Sequence, residues 1–281
     1  MLLLATAGAL FVSVAAQAAP CGKPDLLDAL PPDGADGVPT DATPSAIYAH
    51  TADYLGEDVP LEDSTGTQVP AKVSFDSAEG ILTLTPDAPL AAGKAYTAHW
   101  PQLRGIATAS KGRGRDVTFT VGSGPDSAAP SFDGVTGVRW DVQRKRDDCT
   151  DSVEERFIFD LDLAPADDDS GRDALALVVF QTSGPGLDAP EPVDVRAMPS
   201  GNTVRVIRTV DEATGHVCFA ALVRDLTGKT SASANRTVCV ETIKPPFFYG
   251  CRVAGGRRAG GSGWLALALG AFALGWRRRA R

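Results

Sequence analysis

Apolar and polar residues alternate along the chain in short runs broken by Gly, Pro and Asp. Val69, Ala71, Val73 and Phe75 fall on one side of such a run, and Ile81–Thr85, Tyr96–Trp100 and Val117–Val121 follow the same period of two. That period belongs to strands with one buried face, whereas a helix would repeat near every fourth residue. Further on, Phe157, Phe159, Leu161 and Leu163 share one face, and residues 202–210 alternate again. Residues 174–180, ALALVVF, are apolar without interruption. Such a run predicts a central strand covered on both sides. Residues 216–242 read as a strand, an Asp-x-x-Gly-Lys turn and a returning strand. Short strands spaced near ten residues apart indicate β-sandwich architecture. No helix-period pattern longer than two turns lies between the two ends. The expected fold is all-β, with two tandem sandwiches at 27–122 and 130–243 joined by a small, polar linker at 123–129.

The first sandwich carries PPDGADGVPTDATPSAIYA, then ILTLTPDAPLAAGKAYTAHW, then DVTFTVGSG, in that order. Together these stretches, covering about residues 30–122, resemble the bacterial Ig-like domain of S-layer-type surface proteins. Gly93 suits a tight turn with positive φ, and Tyr96 opens the next strand with a ring for the inter-sheet core. The last thirty residues of the second sandwich resemble the closing hairpin of a fibronectin type III-like domain. These resemblances imply Ig-like modules of an envelope protein.

The two ends differ from the body. MLLLATAGALFVSVAAQAAP is apolar and ends in the small-residue site Ala16-Gln17-Ala18. It predicts a signal peptide over 1–18, cleaved between Ala18 and Ala19, although no Lys or Arg precedes the apolar stretch. Pro20 before Cys21 argues against a lipid-attachment box there. Residues 244–263 are a Pro/Gly/Arg spacer, and 264–281 form a hydrophobic helix with an arginine tail. The run from Trp264 to Trp276 spans only about 20 Å as a helix, short of a comfortable bilayer crossing. Gly250-Cys251, GGRRAGG at 255–261, the tryptophan-bounded run and Arg277–Arg281 resemble the myxobacterial sorting signal MYXO-CTERM. That resemblance implies processing near Cys251, lipid attachment there and display at the cell surface. A short retained membrane anchor is the alternative.

Composition narrows the function. With 43% hydrophobic and 22% charged residues, the chain can bury a core. All seven arginines of 251–281 sit in a segment with no acid. The stretch 21–250 therefore holds 20 basic and 35 acidic residues, and its net charge of −15 makes nucleic acid an unsuitable partner. Other envelope proteins or polysaccharide are the expected partners, with the C-terminal segment contacting membrane. Behind a signal peptide the five cysteines face an oxidising compartment. The turn at 225–233 makes the strands of Cys218 and Cys239 antiparallel neighbours, so this pair is the first choice for a disulfide; Cys149 is the alternative partner of either. Zinc held by His216 and these cysteines lacks a Cys-x-x-Cys spacing. The loop ADDDSGRD offers Asp167, Asp168, Asp169 and Asp173 to calcium. An EF-hand register would put Ala166 and Leu177 at ligand positions, so a solvated turn is the simpler reading. No motif with a stated catalytic mechanism occurs, and neither an enzyme nor a bound cofactor is expected. Two classes remain, a structural or adhesive surface module and a binding module for carbohydrate or calcium. Trp100 and Trp140 discriminate between them: exposed rings would favour binding, buried rings a spacer.

Overall fold

The computed structural model describes residues 26–49, 52–105, 108–111, 114–146, 153–232 and 236–244. The signal peptide with Ala18 and Ala19, Cys21, Cys149, Gly250, Cys251 and the tryptophan-bounded tail lie outside the described residues. The described residues are nearly all β, with one 3-10 turn at Arg172–Ala174 and no α-helix among them. Their strands belong to one compact unit.

The first sandwich comprises β1 (Leu26–Leu30), β2 (Ala35–Val38), β3 (Ser45–Tyr48), β4 (Ala52–Asp53), β5 (Leu61–Asp63), β6 (Ala71–Asp76), β7 (Ile81–Pro86), β8 (Ala95–Trp100), β9 (Arg104–Gly105), β10 (Thr108–Lys111) and β11 (Arg115–Val121). One sheet runs β1-β3-β7-β6, the facing sheet β2-β11-β8-β5, and β10-β9-β4 form a small third sheet. In the antiparallel pair β8/β11, Val117 lies opposite Ala98 and Phe119 opposite Tyr96. All four are buried, and Tyr96 and Phe119 stack at 6.0 Å. On the other face of the same pair Thr97 and Thr118 hydrogen-bond in the open. One apolar and one solvated face produce the alternation seen in the sequence. Gly93 takes φ +70° in the turn leading into β8.

The second sandwich comprises β12 (Ser131–Phe132), β13 (Val135–Arg146), β14 (Val153–Leu163), β15 (Ala166–Asp167), β16 (Ala176–Ser183), β17 (Glu191–Ala197), β18 (Thr203–Thr209), β19 (Gly215–Arg224) and β20 (Val238–Thr242). Sheet β13-β14-β18 faces sheet β17-β16-β19-β20, and β12 pairs β15. Phe157, Phe159, Leu161 and Leu163 all point into the core between these sheets. Phe159 meets Phe219 of the facing sheet at 4.8 Å.

The continuous apolar strand β16 is buried on both faces, by two different cores. Leu177 and Val179 join the core of the second sandwich. Ala176 and Val178, with Val195 of β17 and Leu226, join the cluster that includes Ala29, Ile47 and Leu82 of the first. The sandwiches therefore share an apolar junction.

Polar contacts close its margins. Asp28 accepts the Ala197 amide at 3.0 Å and so caps the free edge of β17. The Leu226 carbonyl accepts both the amide and the hydroxyl of Thr43. Arg224 forms a two-point ion pair with Glu79 at 2.9 and 3.2 Å.

Candidate functional site

At one margin of the junction three carboxylates converge. Asp126, Asp168 and Asp225 each place an oxygen within 4.8 Å of the other two. They come from the segment joining the sandwiches, from the acidic loop after β15, and from the turn after β19.

Asp225 is positioned by its turn. Its Oδ1 accepts the Thr227 amide at 2.8 Å, the Thr227 hydroxyl at 2.9 Å and the Lys229 amide at 2.9 Å. Its own amide donates to the Lys229 carbonyl, and Gly228 supplies the positive φ the turn needs, +86°. All three bonds to its carboxylate use Oδ1. The residue is only 6% exposed, and its Oδ2 is buried with no hydrogen-bond partner.

Asp126 sits in the expected linker, yet its side chain is only 1% exposed. Its amide donates to Asp41 and its Oδ1 accepts the Ala128 amide at 3.1 Å. Nearby, the Thr40 amide donates to the Gly124 carbonyl, so the joining segment is seated on the first sandwich. The Lys229 ammonium donates to the Asp126 carbonyl at 2.9 Å and lies 3.3 Å from its Oδ2. Asp168 accepts the Ser170 amide on Oδ2, while its Oδ1 and the Ser170 hydroxyl are buried without partners.

Burial pushes the Asp225 carboxyl above the ordinary carboxylate range, and the bonds from Thr227 and Lys229 only partly offset it. Burial opposes ionisation of Asp126 too, but the Ala128 amide, the Lys229 ammonium and the bond that Asp225 donates when it carries a proton hold it below its usual value. Three carboxylates facing one ammonium are an acceptor-rich, all-oxygen set suited to a hard cation.

Of the four acidic-loop residues expected from sequence, only Asp168 enters this cluster. Asp167, Asp169 and Asp173 are exposed. Asp126 and Asp225 were not among the sequence candidates. A signal for Asp225 is present nonetheless: Asp63-Ser-Thr-Gly-Thr and Asp225-Leu-Thr-Gly-Lys repeat the pattern D-x-T-G-x, the second among apolar neighbours.

Cys218 and Cys239 lie directly opposite one another in β19/β20 and are joined by a disulfide. Bonded sulfurs cannot serve as thiolate ligands, so His216 beside them, 3.3 Å from the Cys218 sulfur and 2.7 Å from Glu241, lacks a zinc-binding set there. His99 is held between Asp116 at 2.8 Å and Glu62 at 3.5 Å. Trp100 is buried in the first core, and Trp140 is half-buried edge-on to Phe157 at 5.4 Å. Among the described residues, the exposed large apolar ones, Leu27, Leu55, Val153, Ile207 and Ile243, include no aromatic ring. Among the described residues no helix is long and apolar enough to cross a membrane.

No family model matches the chain, and no curated protein matches it. Among solved structures it is similar to the methionine-rich copper resistance protein PcoC from Escherichia coli, at 21% identity and TM-score 0.30, over 36% of this chain and 99% of that one. It is also similar to the N-terminal part of the bacterial S-layer protein SbsC, at 14% identity and TM-score 0.29, over 79% of this chain and 44% of that one. The third is the BSP domain of a biofilm-associated protein, at 14% identity and TM-score 0.23, over 80% of this chain and 30% of that one. The chain thus spans less than half the length of the last two. Superpositions this loose carry neither fold nor function across, and the all-β assignment rests on the strands described above.

Proposed function

We propose that this chain is an exported, surface-anchored protein without catalytic activity, whose two sandwiches act as a rigid spacer or interaction platform at the cell envelope. The observation that carries the reading is the use of the aromatic and apolar surface. Both domain tryptophans pack against the cores, and the second face of β16 is spent on the neighbouring sandwich instead of a ligand. A carbohydrate-binding module would leave aromatic rings in the open. The signal-peptide pattern at 1–18 and the Gly250-Cys251 signal support export and anchoring.

Mass spectrometry of the protein taken from membranes tests the anchoring. A C-terminus at Cys251 bearing a lipid is expected, and an intact 264–281 peptide would defeat the sorting-signal reading. Small-angle scattering tests the spacer: one fixed inter-sandwich distance is expected, and a broad distribution would contradict rigidity. The second reading, a calcium-dependent module, is favoured by the placement of Asp168 alone among the acidic-loop residues.

A further inference from the structure

The Asp225 turn contains more than a turn requires. Its Oδ1 alone satisfies the local amides, and Oδ2, on a residue only 6% exposed, has no donor against it: a bond between it and the Asp126 carboxylate needs a proton on one of the two. A buried carboxylate oxygen without a partner is costly unless a cation or proton meets it. Asp168 Oδ1 and the hydroxyl of Ser170, whose amide bonds to Asp168, are likewise buried and unpaired. Lys229 is the one cation against the cluster among the described contacts, and it is directed at Asp126. Three carboxylates and one ammonium leave a formal charge of −2, which one divalent cation would neutralise.

We propose that Asp126, Asp168 and Asp225 form a calcium site that clamps the acidic loop and the closing turn of the second sandwich to the segment seated on the first. The donor chemistry is all oxygen, with no available thiolate or imidazole, which favours a hard cation over zinc or copper. Oxygens within 4.8 Å of one another can share a centre, since ligands on opposite sides of calcium are about 4.6–5.2 Å apart. Water would complete the coordination. The three carboxylates stand at positions 126, 168 and 225, so the ion would tie together segments far apart in sequence. This inference goes beyond the spacer reading. It concerns a bound ion and not the chain's location, and either can fail alone.

Calorimetric titration of the full, disulfide-bonded chain with calcium chloride tests it. One saturable site per chain is expected, with a Kd of about 0.1–1 mM, as in extracellular modules. Calcium at about 10 mM should then shift the folding equilibrium by about 10- to 100-fold. Asp168→Asn should keep the strand spectrum by circular dichroism and weaken calcium binding by about tenfold or more, while Asp169→Asn, one position along and exposed, should bind as the parent does. Because Asp225→Asn can disturb the turn, the decision rests on Asp168→Asn. Absence of saturable binding up to about 10 mM would overturn the proposal. So would an Asp168→Asn protein that binds calcium like the parent. Stabilisation by Asp225→Asn, with no binding heat in the parent, would also overturn it and identify a shared proton in place of the ion.

Discussion

The same five-residue turn occurs once in each sandwich, and its two settings have opposite consequences. In the first, Asp63 accepts the Thr65 amide at 2.8 Å, the Thr65 hydroxyl at 2.6 Å and the Thr67 amide at 3.0 Å, beside Gly66 at φ +77°. In the second, Asp225 accepts the corresponding groups of Thr227 and Lys229 beside Gly228. The residues after Asp63 are exposed, and its hydrogen bonds hold the carboxyl below its ordinary value. Asp225 is sunk at the junction with Asp126 and Asp168, and burial drives it the other way. Local hydrogen bonding specifies the turn, while tertiary setting decides what its carboxylate can do.

If setting is the cause, breaking the junction should act on the second turn and spare the first. Val178→Asp puts a charge into the fully buried face that joins the sandwiches. It should cost more than about 4 kcal/mol by denaturant unfolding, whereas Thr118→Asp, on the open face of β11, should stay within about 0.5 kcal/mol. The two results coming out alike would remove the distinction between covered and open faces. Next in size is the disulfide. Cys218→Ala with Cys239→Ala frees a loop with a sequence separation of 21 and should lower stability by about 2–4 kcal/mol. Amide exchange should show that loss in β19 and β20 and, because the sandwiches unfold as one body, in the slowest amides of the first sandwich as well.

Arg224→Ala is expected to cost roughly 1–3 kcal/mol, because it strands Glu79, whose side chain is 12% exposed, at the junction margin. A cost equal to that of an ordinary surface pair, under about 0.5 kcal/mol, would mean the margin is more open than its geometry indicates. The smallest effect belongs to Asp63. The Thr65 hydroxyl and the Thr67 and Thr65 amides hold its folded carboxyl below the ordinary Asp range, so its contribution is present above the unfolded value and is lost as pH falls through the folded one. Carbon-detected NMR titration in chelator should place Asp63 below and Asp225 above ordinary carboxylates. Both moving the same way would end the comparison.

The strands were readable because each alternating run reflects one covered and one wet face: Phe157, Phe159, Leu161 and Leu163 all reach the core. The unbroken run at 174–180 foretold a strand covered twice. It could not say by what, since period alone carries no identity for the covering layer, and here half the cover comes from the preceding sandwich. The carboxylate cluster was mostly hidden. Asp126 lies in a stretch whose composition reads as solvated linker, and a run of acids drew attention to Asp167, Asp169 and Asp173, which face solvent. Only long-range packing converts one acid from each of three segments into a site. The D-x-T-G-x repeat marked Asp225 as a turn residue, but its burial depends on Asp126 and Asp168 being brought alongside.

Differential scanning calorimetry of the disulfide-bonded chain in calcium-free buffer tests the central claim, that the sandwiches form one body through the shared β16 face and its polar margins. One cooperative transition covering both sandwiches, with matching calorimetric and van't Hoff enthalpies, is the predicted result. Two separate transitions, with only the later one sensitive to reduction of Cys218–Cys239, would contradict it.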